Sequence, residues 1–144
     1  MASESSLWQW LRGARKYFGA GLHITRIENT AGVGAPDVEG MLLGDQFQLE
    51  LKIASVRPAR ATTKLRFGSP LRESQLEWCE ARLAAGGRVG YLIQVGQGTD
   101  RSVYLIPGQL ARVLHEGVTE SWCRLHNVLD EVTPAEVVRK AVTL

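Results

Sequence analysis

The sequence predicts an α/β fold in which a central mixed sheet is flanked by helices, and it predicts a single domain over residues 1–144. Two strand signals and the helix between them carry this reading. The segment 47–53 (FQLELKI) alternates apolar and polar residues, 89–95 (VGYLIQV) is an apolar run of strand length, and 72–85 (RESQLEWCEARLAA) sets Leu76, Cys79 and Leu83 on one helical face. Composition agrees: 44% hydrophobic and 22% charged residues are those of a globular chain. A chain of this length buries about two-thirds of its unfolded surface and needs no disulfide to fold.

The first helix is expected over 5–19, where Leu7, Leu11, Ala14 and Phe18 recur at helical spacing, with Ser5 or Ser6 to cap it and Gly19 and Gly21 to end it. Trp8 and Trp10 help it dock. Residues 22–28 (LHITRIE) alternate and are partly β-branched, so they read as a strand, followed by a glycine-bearing turn over 29–35. A second strand over 38–43 and a third over 47–53 form a hairpin through Gly44-Asp45. In the third strand Phe47, Leu49, Leu51 and Ile53 take the core face, and Gln48, Glu50 and Lys52 take the other. Residues 55–71 hold Pro58, Gly68 and Pro70 without a sustained period and read as a long loop. The helix at 72–85 stops at Gly86-Gly87, and strands are expected over 89–95 and 102–106 with a turn over 96–101. Beyond Pro107 a short helix over 109–114 is expected, then one over 134–142, where Thr133 caps, Pro134 opens and Glu136 completes a capping box.

Several functions are excluded by absence of their signals. No apolar run reaches the roughly eighteen residues of a membrane span, and the N-terminus lacks the basic-then-apolar order of a secretory signal, so a cytoplasmic protein is expected. Cys79 and Cys123 have no zinc spacing and read as reduced, buried thiols. Gly32 and Gly34 lack the following GK[ST] of a nucleotide loop, the three histidines at 23, 115 and 126 have no metal spacing, and no nucleophile elbow is present. The net charge of +2 is uninformative until it is located. Lys52, Arg57, Arg60, Lys64, Arg66 and Arg72 follow one another with no acid between them, a local +6 that the rest of the chain offsets with −4. Such a segment suits a polyanion.

The chemistry lies beside it. A hairpin brings Asp37 across from Glu50 or Lys52, gathering two carboxylates and an ammonium on one polar face. Two neighbouring carboxylates repel until a hard cation takes oxygen from both, which suits Mg²⁺ or Mn²⁺, with the Leu51 carbonyl as a further ligand. Lys52, on the same face as Glu50, is placed to orient an attacking water and stabilise charge on a phosphate. The plain alternative is a solvated face with a cross-strand ion pair worth less than about 1 kcal/mol.

Pro36-Asp37 followed by Glu50-Leu51-Lys52 resembles the PD-(D/E)XK nuclease signature, here written PD…ELK. The order of Arg26-Ile27-Glu28-Asn29, Gly32, Gly34, Pro36-Asp37-Val38, the ELK strand, Gln75 and Trp78, then Gly86-Gly87 and an apolar strand resembles the VRR-NUC type of small phage and bacterial nucleases over residues 24–95. The resemblance implies a restriction-endonuclease-like αβββαβ core, about 22–106, with a C-terminal extension over 107–144. It implies a catalytic set of Asp37, Glu50, Lys52 and Gln75, the last a helix glutamine that supports the site by hydrogen bonding. The metal ligands would be Asp37, Glu50, the Leu51 carbonyl and an extra carboxylate. Glu28 is favoured for that extra place, Glu39 ranks below it, and Glu4 is what the first helix offers where the superfamily often carries an acid.

The expected function is a Mg²⁺- or Mn²⁺-dependent DNA endonuclease, selective for branched DNA such as a Holliday junction and phage-like, acting in the host cytoplasm if phage-encoded. Arg57, Arg60, Lys64, Arg66 and Arg72 are the expected phosphate contacts. A compact homing or restriction-type enzyme and a non-catalytic DNA-binding module with the same fold are the alternatives, and RNA stays open as a substrate. Cutting both strands calls for a homodimer or higher symmetric oligomer, with the first helix and the region after 107 as interface material.

Overall fold

The computed structural model describes residues 2–27 and 34–144. One five-stranded sheet runs through it in spatial order β1 (Leu22–Arg26), β2 (Val38–Leu42), β3 (Asp45–Ala54), β4 (Val89–Val95) and β5 (Ser102–Pro107). The β1, β2 and β3 neighbours are antiparallel, β3 and β4 are parallel, and β4 and β5 are antiparallel, so the sheet is mixed as expected. The parallel pair requires a crossover, which the basic loop and α3 (Glu73–Ala84) supply.

Helices cover both faces. On one, α1 (Glu4–Leu11), α2 (Ala14–Phe18) and α6 (Pro134–Ala141) bury Leu7, Leu11, Val137 and Val138 against Phe47, Leu49, Leu51 and Leu92. On the other, α3, α4 (Ala111–Glu116) and α5 (Glu120–His126) bury Leu76, Leu114 and Cys123 against Tyr91, Ile93 and Ile106. Both cysteines are free and buried, and burial foremost pushes Cys79 up to about 11 and Cys123 up to about 12, which keeps them protonated thiols. The residues after 107 therefore complete both layers, and the apolar faces of α1 and α6 are used within the chain.

Several local expectations change. The helix expected over 5–19 breaks at Arg12-Gly13 into α1 and α2, a place where glycine is a weak helix former, and Ser3 rather than Ser5 or Ser6 caps it, accepting from the Ser6 N–H. The hairpin turns one residue early, on Leu43 and Gly44, because Leu42 already pairs with Asp45. Both turn residues have positive φ, 50° and 94°, which matches the strand twist but strains the leucine. The helix α5, which the residue pattern after Pro107 does not announce, starts at Thr119, whose side chain accepts from the Trp122 N–H. In α6 Thr133 caps as expected, but Glu136 is buried and accepts from the Asp130 N–H instead of closing a capping box.

The largest change concerns β3. It is the middle strand, and its second face is covered by α3 and the loop, so Gln48, Glu50 and Lys52 are buried rather than solvated. A buried row of polar residues costs several kcal/mol unless each is hydrogen-bonded, which makes a plain surface ion pair the wrong description.

Candidate active site

The β2–β3 register pairs Val38 with Leu49, which carries Asp37 to the position opposite Glu50. Asp37 lies one residue before β2, and its backbone carbonyl accepts from the Ile27 N–H at 2.7 Å. Its approach is set by Gly34, whose φ of +86° and close packing leave no room for a side chain: a Cβ there would lie 2.1 Å from the Ser74 carbonyl oxygen. Gly34 thus lies directly on the N-terminal turn of α3, which also carries Gln75.

Asp37 Oδ2 accepts from the Leu51 N–H at 2.8 Å. The Gln48 N–H points to the β4 side, donating to the Arg88 carbonyl, while the Ile53 carbonyl accepts from Gly68 of the loop. The groups of 51 and 53 therefore turn to the β2 side, and since one residue's N–H and C=O share an edge, the Leu51 carbonyl faces Asp37.

Glu50 is 4% exposed. Its Oε1 accepts from Gln75 Nε2 at 3.1 Å and lies 3.7 Å from Lys52 Nζ. Gln75 is itself fixed at its other end, where Oε1 accepts from the Arg72 N–H at 3.1 Å. Burial first, and the Asp37 carboxylate second, push Glu50 up to about 9 against the opposing pull of Lys52. Lys52, 1% exposed, donates to Ser69 Oγ and to the Pro70 carbonyl, each at 3.1 Å. Its ammonium is held by the loop and acts on the cavity through charge.

These groups line one cavity of about 440 Å³, together with Glu4, Arg26, Ser69 and Arg72. Glu4 enters from α1, and its carboxylate accepts a short hydrogen bond from the Ser69 hydroxyl. Of the acids considered for the extra place that are among the described residues, Glu4 is the one at the cavity. Glu39 lies beside His23, Thr25 and Gln46 in a separate depression, and Glu28 lies outside the described residues. The first-helix position was the available signal for Glu4; its nearness to the chain end obscured it, and the Ser3 cap explains why α1 starts early enough to order it.

Divalent-cation chemistry fits the donors present. Asp37, Glu50 and the Leu51 carbonyl supply hard oxygen, and a buried carboxyl pushed toward neutrality beside a second carboxylate is the electrostatic state a cation relieves. Among the described residues no cluster of three or more His, Cys, Asp or Glu side chains forms a ready-made metal cage. The arrangement suits an ion that keeps water and takes substrate oxygen, as Mg²⁺ does.

The basic segment divides. Lys52 is buried, and Arg57 is tied down: its Nε is 2.7 Å from Glu120 Oε1, its Nη1 is 2.7 Å from Asp100 Oδ2, and it also donates to Ser102 and to the Val95 carbonyl. Burial pushes Glu120 up, but hydrogen bonds from Arg57 and Tyr104 outweigh it and hold Glu120 below its ordinary value. These bonds fasten the loop to β5 and α5, and a phosphate contact by Arg57 competes with them. Arg60, Lys64, Arg66 and Arg72 are exposed, and Arg72 borders the cavity.

No protein-family model and no curated protein sequence matches the chain. Among solved structures it is similar to Hjc, a Holliday junction resolvase from the archaeal hyperthermophile Archaeoglobus fulgidus, with a TM-score of 0.56 and 19% identity over 95% of this chain and 96% of that one. A VRR_NUC domain is also found, with a TM-score of 0.39 and 20% identity over 80% of this chain and 97% of that one. No helix among the described residues is long and apolar enough to cross a membrane. The chain has the restriction-endonuclease-like fold that its PD…ELK resemblance implied, a mixed sheet between helices.

Proposed function

We propose that the chain is a divalent-metal-dependent DNA endonuclease that selects branched DNA. The observation that carries this is the meeting of Asp37, Glu50, Lys52 and Gln75 in one cavity beside exposed cations. The branched substrate is supported by the fold likeness to a Holliday junction resolvase, whose name states that activity.

Asp37, Glu50 and the Leu51 carbonyl hold the ion, and Glu4 stands at the cavity as a further acid. Mg²⁺ or Mn²⁺ bound there supplies Lewis-acid polarisation of a phosphate and lowers the pKa of water. Gln75 keeps Glu50 oriented through its Nε2, and Lys52 provides positive charge where the attacked phosphate, five-coordinate in the transition state, accumulates negative charge. Arg60, Lys64, Arg66 and Arg72 position the DNA backbone. A symmetric dimer supplies the second cavity that cutting two strands requires, and a phage-type enzyme of this kind works in the host cytoplasm.

The test is cleavage by the purified chain of four-way junctions and linear duplexes with Mg²⁺. Junction cleavage that disappears in Asp37→Ala and Lys52→Ala is expected. Equal cleavage of every duplex would overturn the selectivity, and cleavage unchanged in both variants would overturn the site.

A further inference from the structure

A second concavity lies on the same loop, on the far side of Gly68 from the catalytic cavity. Val56, Pro58 and Phe67 give it apolar surface, the exposed Lys64 and Arg66 line it with them, and its volume of about 510 Å³ is in the range of small-molecule pockets, roughly 300–1,000 Å³. Gly68 belongs to this groove and Ser69 to the catalytic cavity, so the two sites are joined by one peptide bond.

The sequence makes the groove conspicuous. Between Lys52 and Arg72 the chain has no acidic residue, and none lines the groove among the described residues, yet Val56 is left 76% exposed there. The backbone is not loose: Gly68 N–H donates to the Ile53 carbonyl at 2.9 Å and Leu65 N–H to the Val118 carbonyl at 2.8 Å, with the Leu65 side chain buried. An apolar surface on a fixed backbone with exposed cations beside it asks for a ligand that is flat and apolar in one part and anionic in the next.

We propose that this groove receives an unpaired nucleobase, with Lys64 and Arg66 on the phosphates that flank it. A paired duplex keeps its bases stacked inside and presents phosphate and sugar, which match the cations and leave the apolar surface uncovered. An unpaired strand offers a base whose face covers Phe67 and Val56 while its own phosphates meet the cations. The inference rests on the nuclease reading and sharpens it: the preferred substrate carries unpaired nucleotides within reach of the cut phosphate, as branched or frayed DNA does.

The experiment measures binding of a single-stranded oligonucleotide carrying 2-aminopurine, and of a blunt duplex, in Ca²⁺ without turnover. The proteins are wild type, Phe67→Ala and Val56→Ser; the last alters an exposed side chain and keeps the fold if Phe67→Ala does not. Single-strand affinity is expected to fall by roughly 5- to 100-fold in Phe67→Ala, the range for loss of one stacked base, and by a smaller factor in Val56→Ser, with duplex affinity unchanged in both. Equal losses on both substrates, or no loss in Val56→Ser, would overturn the groove. So would a shift from dimer to monomer in Val56→Ser with single-strand affinity retained, which would make a second copy the occupant. Wild type that binds both DNAs but does not cut a four-way junction with Mg²⁺ defeats the nuclease reading, and the Val56→Ser comparison then still decides the groove; wild type that binds no DNA defeats both.

Discussion

Asp37 satisfies the Leu51 backbone through Oδ2, at 2.8 Å from its N–H, at the point where β2 has not yet begun and β3 is paired with β4 alone. One carboxylate therefore has a structural bond and, in the proposed reaction, a ligand's charge. These separate by substitution. Asp37→Asn keeps an oxygen for the Leu51 N–H and should leave stability within about 0.5 kcal/mol, while cleavage falls roughly 1,000-fold as the charge is removed. Asp37→Ala should add a stability loss of about 1–3 kcal/mol, because a buried N–H is left unpaired. Urea melts beside junction cleavage check this; equal stability of the two variants would show that the bond contributes nothing.

Gln75 is held at both ends, by the Arg72 N–H and by Glu50 Oε1. Outer residues that orient a metal ligand typically change metal affinity or activity by about 10–100-fold when removed. Gln75→Ala should raise the Mg²⁺ concentration for half-maximal cleavage by that factor. A Mg²⁺ titration that overlays wild type would reduce Gln75 to a helix-surface residue.

How far the sequence reveals this site depends on which residues are local. The alternation of 47–53 and the hairpin put Asp37 across from Glu50 or Lys52 without knowledge of the tertiary fold, because strand period decides the shared face, while the turn on Leu43 and Gly44 selects Glu50. The burial of Glu50 and Lys52 is not local: it needs α3 and Ser69-Pro70 to close over β3, and no periodicity in FQLELKI reports what covers its polar face. The bonds of Arg57 are hidden for the same reason, since its partners Asp100 and Glu120 lie 43 and 63 residues away. Leu43 at positive φ is likewise invisible to a pattern that places Gly44 in the turn.

Glu50 ties stability to pH. Its folded carboxyl titrates at about 9 against an ordinary 4.5, chiefly through burial and then Asp37. A raised value means that the folded chain holds a proton the unfolded chain releases, so the stabilisation is complete below 4.5 and declines as pH rises toward about 9. The metal-free melting temperature should fall over that window. Mg²⁺ takes the ionised form, so its stabilising effect should grow with pH. Glu50→Gln should flatten the metal-free slope and abolish the Mg²⁺ effect in thermal melts with and without chelator; a slope unchanged in that variant would place the titrating group elsewhere.

The hairpin offers a stability test apart from the chemistry. Leu43 holds φ at +50° in a two-residue turn that favours Asn or Gly. Leu43→Asn should raise stability by about 0.5–1 kcal/mol with cleavage unchanged. Lower stability would show that the exposed leucine side chain contributes packing that outweighs its strain.

The cations of the loop should separate into two kinds. Arg57 is 29% exposed on its side chain and bonds Glu120, which is more buried than itself, so Arg57→Ala leaves a half-buried carboxylate and part of its hydrogen bonding unmet. A loss of about 1–3 kcal/mol in stability is expected, with the slope of log affinity against log salt preserved at temperatures where the variant is folded. Arg66→Ala removes an exposed charge, so stability should stay within about 0.5 kcal/mol while the salt slope falls by about 1, since a phosphate that the protein no longer neutralises keeps roughly one counterion. Urea melts and DNA titrations over a salt series separate the two. A reduced slope in Arg57→Ala together with unaltered stability would return Arg57 to the DNA surface and show that its bonds to Asp100 and Glu120 yield to phosphate.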